Sequence, residues 1–233
     1  MRPPLTMLAF ALVAALGTSC GGKSPSGSDD DDLGGTTSIP LNQVGNQIPT
    51  GQINFAGASY DVGSALAVTA NQNGLVTLRL MADLSNAPAL QTKVNAMATS
   101  LAGVGGWAAG FLSGGAIDMS FKLRVTSEGI QDYFNADKRQ QTLVRYDARV
   151  GDTYRLTLSN GTTVTRTVTG VSTQDDFPYG LMLIKTITVE QPSHIAGVTK
   201  FVYRANHRFG LVWVQAQLTD GTTLSYYLFP QNY

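Results

Sequence analysis

Cysteine and histidine are nearly absent from this chain. Its 233 residues include one cysteine and two histidines. A single cysteine forms no disulfide within the chain, so the fold must be held together by its core. A zinc-type site needs three or four converging cysteine, histidine or carboxylate ligands, and we therefore expect no metal site.

Charge is also scarce. Lys and Arg number 16, Asp and Glu number 16, and charged residues make up 14% of the chain, against about 25% in an average soluble domain. Proteins that bind nucleic acid by neutralising phosphates carry a basic stripe, which this composition does not supply. We therefore expect no nucleic-acid partner.

Common catalytic motifs are missing as well. The sequence after the N-terminal region has no GxSxG or SxxK pattern, no HExxH, and neither GxGxxG nor a P-loop. His194 and His207 stand in turn-like contexts, and Asp175 and Asp176 are sequence neighbours in a turn, not carboxylates facing each other across a cleft. We expect no catalytic residue and no cofactor.

The one apolar run of note lies at the N-terminus. Arg2 gives a positive start, and an apolar stretch of twelve residues, Leu5 to Leu16, is followed by small residues. A helix that crosses a bilayer takes about 20 residues, so this stretch is too short to span but suits the hydrophobic region of a secretory signal. Residues 1–19 are therefore predicted to be an export signal.

The ending Leu16-Gly17-Thr18-Ser19-Cys20 resembles the lipobox of bacterial lipoproteins. The resemblance implies that Cys20 is diacylated on sulfur and becomes the mature N-terminus, and two acyl chains are enough for stable anchoring. The chain would then be a lipid-anchored protein of the cell envelope, expected at the outer membrane. Whether it occupies the periplasmic or the surface face of that membrane stays open. The alternative is an ordinary secretory peptide cut after a small residue, with Cys20 an incidental free thiol.

A polar, glycine-rich tract follows the cysteine and includes four consecutive aspartates, Asp29–Asp32. Such a segment cannot bury enough apolar surface to offset its ordering entropy, so residues 20–38 are predicted to be the lipidated cysteine and a disordered acidic tether. The aspartates are interpreted as a solvated spacer. A resemblance to surface lipoproteins of some diderm bacteria implies an export tag instead, and calcium binding is the weakest alternative because the EF-hand pattern is missing.

Residues 39–233 are predicted to form a single β-rich domain, with a helix and a glycine-rich flap in 83–115 and a β-meander over 116–233. Residues 117–125 alternate apolar and polar side chains, which is typical of a half-buried strand. Two turn signals, Asn160-Gly161 and Asp220-Gly221, predict hairpins with type I′ turns. No alternation of strands with helices appears, so we expect a curved antiparallel sheet or half-barrel of about eight to ten strands.

One helix is predicted over residues 87–101. Leu90, Val94, Met97 and Leu101 recur at spacings of four, three and four, so they share one helix face. We expect this amphipathic helix to pack on the sheet, with its apolar stripe as part of the core.

The stretch after the helix, residues 103–115, holds six glycines in thirteen positions together with two large aromatics. It is interpreted as a glycine-rich loop that tucks the aromatics against the sheet. A mobile flap over an apolar cavity and a segment that dips into a lipid surface stay open as alternatives. If an apolar ligand binds between helix and sheet, the expected contacts are Leu90, Val94, Met97, Trp107 and Phe111.

Two charged residues interrupt apolar strand faces. Arg166 stands between Val164 and Val168, and Lys185 has a similar setting. Inward-pointing charges of this kind indicate edge protection or a snorkelling side chain. The alternative is that they line a ligand groove.

The second half of the body resembles a recurring pattern in secreted bacterial proteins. The matching residues are Val150, Gly151, Asp152, Tyr154, Tyr203, Gly210, Leu211 and Val212. The resemblance implies curved antiparallel sheets related to the half-barrels of lipoprotein carriers such as LolA, often with a helix across the concave face. It brings no catalytic residue.

Together these features predict a lipid-anchored envelope protein with a non-enzymatic β-rich binding or structural module. Its expected partners are the membrane, through the anchor, and an apolar ligand or an envelope protein. One alternative is a carrier or sensor of a lipid or other apolar ligand in a groove between helix and sheet. The other is an envelope enzyme with no recognisable motif.

Overall fold

The structure, a computed structural model, describes residues 33–101, 112–113 and 115–233. These residues contain one α-helix, α1 (Pro88–Leu101), and a short 3-10 turn, Pro40–Asn42. In chain order the strands are β1 (Gln47–Pro49), β2 (Ile53–Phe55), β3 (Ala58–Tyr60), β4 (Ala65–Gln72), β5 (Leu75–Asp83), β6 (Leu112–Ser113), β7 (Ala116–Thr126), β8 (Gly129–Asp132), β9 (Gln141–Arg145), β10 (Thr153–Thr157), β11 (Thr163–Val171), β12 (Phe177–Tyr179), β13 (Met182–Ile184), β14 (Ile187–Pro192), β15 (Val198–Asn206), β16 (Gly210–Leu218) and β17 (Thr223–Tyr227).

The strands form two large sheets and one small hairpin. The first sheet has the order β1-β4-β5-β7-β8-β9, with β6 paired to β7, and the second has the order β10-β11-β14-β15-β16-β17-β2-β3. The pairings among described strands are antiparallel, and neither strand order closes on itself. The predicted mainly β, antiparallel fold class with one helix is confirmed. The strands are more numerous than expected because several are only three residues long and leave little periodic pattern.

One apolar core lies between the two large sheets. Alternate residues of β7 in the first sheet and of β16 in the second are buried in the same cluster, and α1 joins it. Burying one such aliphatic side chain fully stabilises the fold by about 1.5–3 kcal/mol. The strict alternation that predicted a half-buried strand at 117–125 is therefore confirmed by the burial of Ile117, Phe121, Leu123 and Val125.

Helix α1 begins one residue later than predicted and ends where expected, at Leu101. Pro88 occupies its first turn, where a missing N–H costs nothing. Leu90 and Val94 are buried in the core, being 0% and 6% exposed. On its outer side Lys93 forms an ion pair of 2.6 Å with Asp220, which ties the helix to the turn between β16 and β17.

Both predicted hairpins form, but their turns are not type I′. Type I′ needs positive φ at both central residues, whereas only Gly161 (φ +80°) and Gly221 (φ +81°) take it in these two turns. The Gly161 N–H donates to the Leu158 carbonyl at 2.9 Å, so the loop holds three residues and closes with a left-handed glycine. A side-chain oxygen of Asn160 accepts the Thr162 N–H at 2.9 Å, which favours this wider loop.

The first described residues lie against the body. Leu33 is only 4% exposed, and the Thr36 N–H donates to the Ser127 hydroxyl at 3.0 Å. Residues 33–38, which the sequence analysis includes in the tether, thus run across the turn between β7 and β8. The physical reason is Leu33, the one large apolar side chain of that tract. The predicted signal peptide, Cys20 and Asp29–Asp32 lie outside the described residues.

Candidate functional site

A buried ion pair joins the two large sheets. Arg166 on β11 and Asp132 on β8 are both fully buried, with 2.8 Å between Nη2 and Oδ2. Arg166 points inward because it alternates in phase with Val164 and Val168, which are also buried. Strand β11 is the second strand of its sheet, so Arg166 is at neither an edge nor the surface. The predictions of edge protection and of snorkelling are therefore wrong for Arg166, whereas Lys185 is exposed.

The Arg166 guanidinium has further partners around it. Its Nε donates to Oε1 of Gln191 at 2.5 Å, and its Nη1 donates to the Thr142 carbonyl at 2.9 Å. Oδ1 of Asp132 accepts the Phe134 N–H at 3.0 Å. Four strands from both sheets, β8, β9, β11 and β14, thus meet at one charged group. A buried charge is tolerated only when it is paired and hydrogen-bonded in this way.

Burial dominates the electrostatics of this network. Loss of solvation raises the pKa of Asp132, while Arg166 and the Phe134 N–H act in the opposite direction. Burial likewise raises the pKa of Tyr203, which lies near the pair and is 1% exposed. Since neither charged side chain reaches solvent, no substrate can contact them in this conformation. We interpret the network as a structural tie between the sheets.

An apolar cavity of about 60 Å³ lies between the two sheets. Its wall is made by residues from both sheets and from the 3-10 turn, including Leu41, Phe121, Leu143, Phe209 and Leu228. For comparison, an apolar cavity of roughly 150 Å³ holds one benzene molecule. This space is therefore too small for an acyl chain.

The predicted apolar-ligand contacts do not line that cavity where they are described. Leu90 and Val94 are packed in the core beneath α1, and neither is a wall residue of the cavity. Trp107 and Phe111 lie outside the described residues, as does the side chain of Met97. Only Leu90 and Val94 of the five are described with their side chains, and the role of all five as ligand contacts stays a prediction.

The most unusual surface feature is the hairpin of β12 and β13. Its two-residue turn has Gly180 at the first central position with φ +59°, the place where a type II′ turn requires glycine. Leu181, the second central residue of the turn, is 106% exposed, and Met182 and Leu183, which follow it on β13, are 48% and 55% exposed. We call residues 181–183 the hairpin tip. Single exposed apolar residues are ordinary, but three in succession on a turn are not.

The underside of this hairpin packs on an aromatic cluster of the second sheet. Phe177 stacks on Tyr227 with 5.8 Å between ring centroids, and Tyr179 stacks on Phe229 at 4.9 Å. The Tyr179 hydroxyl donates to the Leu228 carbonyl at 2.5 Å, and burial raises the pKa of that hydroxyl. The hairpin is thus fixed to the sheet, and its tip projects from a rigid support.

Two arginines flank the aromatic cluster. The Arg204 guanidinium lies over Phe177 at 4.6 Å from the ring centroid and over Trp213 at 5.4 Å. The Arg208 guanidinium lies over Tyr233 at 4.8 Å. Such stacking leaves the charge near solvent while the aliphatic stem covers apolar surface. The surface around the hairpin therefore combines aromatic rings with cations.

Sequence reasoning missed this surface. The chain turns back at Gly180, and the β12–β13 hairpin that results lies in the sequence between β11 and β14; this hairpin is not among those predicted from the sequence. The available signal was Pro178-Tyr179-Gly180, a turn-prone tripeptide between apolar residues. Four consecutive apolar residues after Gly180, which fit no half-buried alternation, were the second signal.

Candidate catalytic groups do not converge. His194 follows β14 and His207 follows β15, so the nine-residue strand β15 separates them by about 30 Å. Both histidines are exposed, and partial burial lowers the pKa of His194. Across the described ranges no three His, Cys, Asp or Glu side chains could hold a metal ion. In the same part of the chain no helix has the length and apolar character to cross a bilayer.

Comparison with known proteins gives one structural likeness. No protein-family model and no curated protein matches this chain. A crystal structure of a protein from Bacteroides fragilis, described as a candidate exported protein with a YmcC-like fold, aligns with a TM-score of 0.44 and 11% identity. The alignment covers 83% of this chain and 98% of that chain. At this degree of similarity no conclusion about this chain follows from it.

Proposed function

We propose that this protein is a lipid-anchored protein of the bacterial cell envelope whose β-rich body acts by binding at its surface and not by catalysis. The N-terminal sequence supports this location. It has an apolar stretch too short to span a bilayer, a lipobox-like ending at Cys20, and a polar tract before the body. The outer membrane is the proposed location.

The observation that carries surface binding is the β12–β13 hairpin. The apolar tip, with Leu181 fully exposed, belongs to a hairpin that stacked aromatic rings fix to the body. Exposing these side chains to water is unfavourable by an amount that grows with their apolar area. A surface that keeps such a feature on a fixed support is suited to a partner that covers it.

The carrier alternative is less well supported by the described residues. It requires an apolar space between helix and sheet, yet Leu90 and Val94 are packed in the core, and the cavity between the sheets holds about 60 Å³. Native mass spectrometry of the mature protein distinguishes surface binding from the carrier function. A ligand-free mass agrees with surface binding, whereas a co-purified lipid in stoichiometric amount would favour the carrier.

The anchor is tested by metabolic labelling with a clickable palmitate analogue. Cys20 is the only cysteine, so S-acylation has one possible site. Labelling is expected in the wild type and in the control Ser19→Ala, which keeps a small residue before the cysteine, and is expected to vanish in Cys20→Ala. The mass of the N-terminal peptide identifies the acyl groups. Equal labelling of wild type and Cys20→Ala would contradict the proposal.

A further inference from the structure

The chemistry of the hairpin tip points to a lipid surface. We propose that Leu181, Met182 and Leu183 insert into the bilayer to which the chain is anchored, so that the body touches the membrane through the β12–β13 hairpin. The proposal rests on the proposed anchor for the nearness of the membrane. It does not rest on the anchor for the properties of the tip.

The size and shape of the tip favour a bilayer over a protein partner. A stable protein interface takes about 800 Å² and 20–30 residues from each side, and its centre is enriched in aromatic and arginine side chains. Here the exposed apolar surface of the tip is three side chains, Leu181 in the turn and Met182 and Leu183 on β13, and the aromatic and arginine side chains lie behind it. A narrow projection of this kind enters a fluid hydrocarbon phase without needing a matching groove. It buries too little surface to hold a second copy of this chain.

The groups behind the tip suit the interface between hydrocarbon and water. Trp213, Tyr227 and Arg208 are aromatic or cationic side chains with an apolar body and a polar end, and Arg208 is exposed. Tryptophan and tyrosine collect at the headgroup level of membranes, where one part is apolar and the other wet. Inserted to the depth of the tip, the hairpin would bring these side chains to that level.

The chain reaches the support of the hairpin soon after it enters the body. Leu33, the first described residue, lies beside Gly129 at the turn between β7 and β8. Leu41, eight residues later, lines the cavity between the sheets together with Phe209. Phe209 in turn packs on Tyr179 of the hairpin, with ring centroids 5.1 Å apart. Eight residues span at most about 27 Å, so the point of entry lies within that distance of Leu41.

The length of the tether agrees with contact at this end. From Cys20 to Leu33 the chain has thirteen residues, a contour of about 45 Å and a root-mean-square span of about 20 Å if flexible. An acylated Cys20 would keep Leu33, and the body against which it packs, within that range of the bilayer. Weak insertion then becomes an intramolecular event at a high effective concentration.

Charged side chains near the hairpin include both signs. Lys185 and Arg208 are exposed cations, and the half-buried Arg204 is a third cation, over Phe177. Asp175 and Asp176 are exposed carboxylates at the base of the hairpin, where Asp176 accepts a hydrogen bond from Ser172 at 2.7 Å. The net charge around the hairpin is therefore small, and so is its contribution to binding charged lipids. We expect contact to depend on the hydrocarbon phase, with little difference between anionic and zwitterionic lipids.

Photo-crosslinking tests the proposal on the full chain. A benzophenone amino acid replaces Leu181, and the matched control places it at Met81, which is 43% exposed on β5. Met81 lies six residues from Leu75, about 20 Å along the strand from the end where the chain enters. The purified protein is reconstituted in vesicles of phosphatidylethanolamine and phosphatidylglycerol, and separately of phosphatidylcholine alone, then irradiated and analysed by mass spectrometry.

The expected result is a lipid adduct at position 181 at least about tenfold more abundant than at position 81, in both kinds of vesicle. Adding Leu183→Ser should reduce the adduct at 181 about tenfold, because removal of one buried aliphatic side chain weakens insertion by roughly that factor. Circular dichroism of this variant checks that the body is folded.

Several outcomes would overturn the proposal. They are equal lipid adducts at 181 and 81, no adduct at 181, a covalent dimer of the chain, or, in intact cells, a protein adduct in place of lipid. The anchor is decided separately by the mass of the N-terminal peptide. If Cys20 carries no lipid, the proposed function fails. The same probe, on the mature chain mixed with vesicles, then still tests whether the tip inserts into a bilayer.

Discussion

Replacing Arg166 by methionine is expected to destabilise the protein severely. Methionine fills similar volume without charge, so the substitution leaves the Asp132 carboxylate buried without a counter-charge. It also removes the donor to Gln191 and to the Thr142 carbonyl. Breaking one partner of a buried pair costs about 3–5 kcal/mol. Since total stability is of order 5–15 kcal/mol, a large share of it would be lost.

The double-mutant cycle separates the ion pair from simple loss of packing. Asp132→Asn alone keeps an oxygen for the Phe134 N–H but leaves the guanidinium without its partner, so a similar loss is expected. In Arg166→Met/Asp132→Asn both charges are gone, and the total loss should be smaller than the sum of the single losses by about 1–3 kcal/mol. Urea unfolding of the mature protein, followed by far-UV circular dichroism, measures all four free energies.

The same variants give a pH dependence of known sign. Burial raises the pKa of Asp132 in the fold above its unfolded value of about 3.9. Such a carboxyl group stabilises the fold below the unfolded pKa, and this stabilisation is lost as the pH rises through the folded pKa. Without Arg166 the folded pKa rises further. Relative to the double variant, Arg166→Met should therefore lose up to about 1.4 kcal/mol per unit as the pH rises above about 4.

Two results would refute this reasoning. One is additivity of the single variants within about 0.5 kcal/mol, which would mean that the charges do not interact. The other is a stability of Arg166→Met that increases with pH relative to the double variant. Either would show that the pair is solvated, or that it is not formed.

Three further predictions concern packing and local contacts. A Cβ at Gly129 would lie 2.2 Å from the Val144 carbonyl oxygen, so Gly129→Ala should lower the free energy of unfolding by about 1–3 kcal/mol. In the matched control Gly170→Ala the new Cβ meets nothing closer than 3.4 Å, and the free energy of unfolding should stay within about 1 kcal/mol of wild type in the same urea assay. Hydrogen bonds from Lys93 and Thr222 hold the pKa of Asp220 well below its ordinary value. In Lys93→Ala the pKa of the Asp220 carboxyl, followed by NMR, should therefore rise. An unchanged pKa would mean that α1 does not contact this turn. Tyr179→Phe removes the donor to the Leu228 carbonyl and should lower the free energy of unfolding by about 1 kcal/mol. Amide exchange should become faster only in the β12–β13 hairpin. Equally faster exchange across the whole second sheet would contradict the interpretation that the hairpin opens as a separate unit.

Long periodic elements were predictable from the sequence because one physical pattern governed each of them. The helix at 88–101 follows from the spacing of Leu90 and Val94, both buried as expected. The strand at 117–125 follows from alternation. In both cases the burial of one face against a core decides the structure, and that burial is written into the order of apolar residues.

Features that depend on tertiary partners were not predictable in the same way. The sequence shows Arg166 among valines but not Asp132, which is 34 residues earlier and becomes its neighbour only when β8 of the first sheet meets β11 of the second. A charge on an apolar face has the same appearance whether it snorkels or is paired. The turn type at Asn160-Gly161 was wrong because the dipeptide suits both a two-residue loop and a three-residue loop.

The buried ion pair and the exposed hairpin are connected through strand β14. A projecting apolar tip is useful for binding only if its support does not yield, since otherwise the tip folds back onto the nearby aromatic rings. Strand β14, which begins three residues after the hairpin ends, carries Gln191, the side chain that accepts the Arg166 Nε–H. The strand that leaves the hairpin is thus fixed to both sheets through one guanidinium.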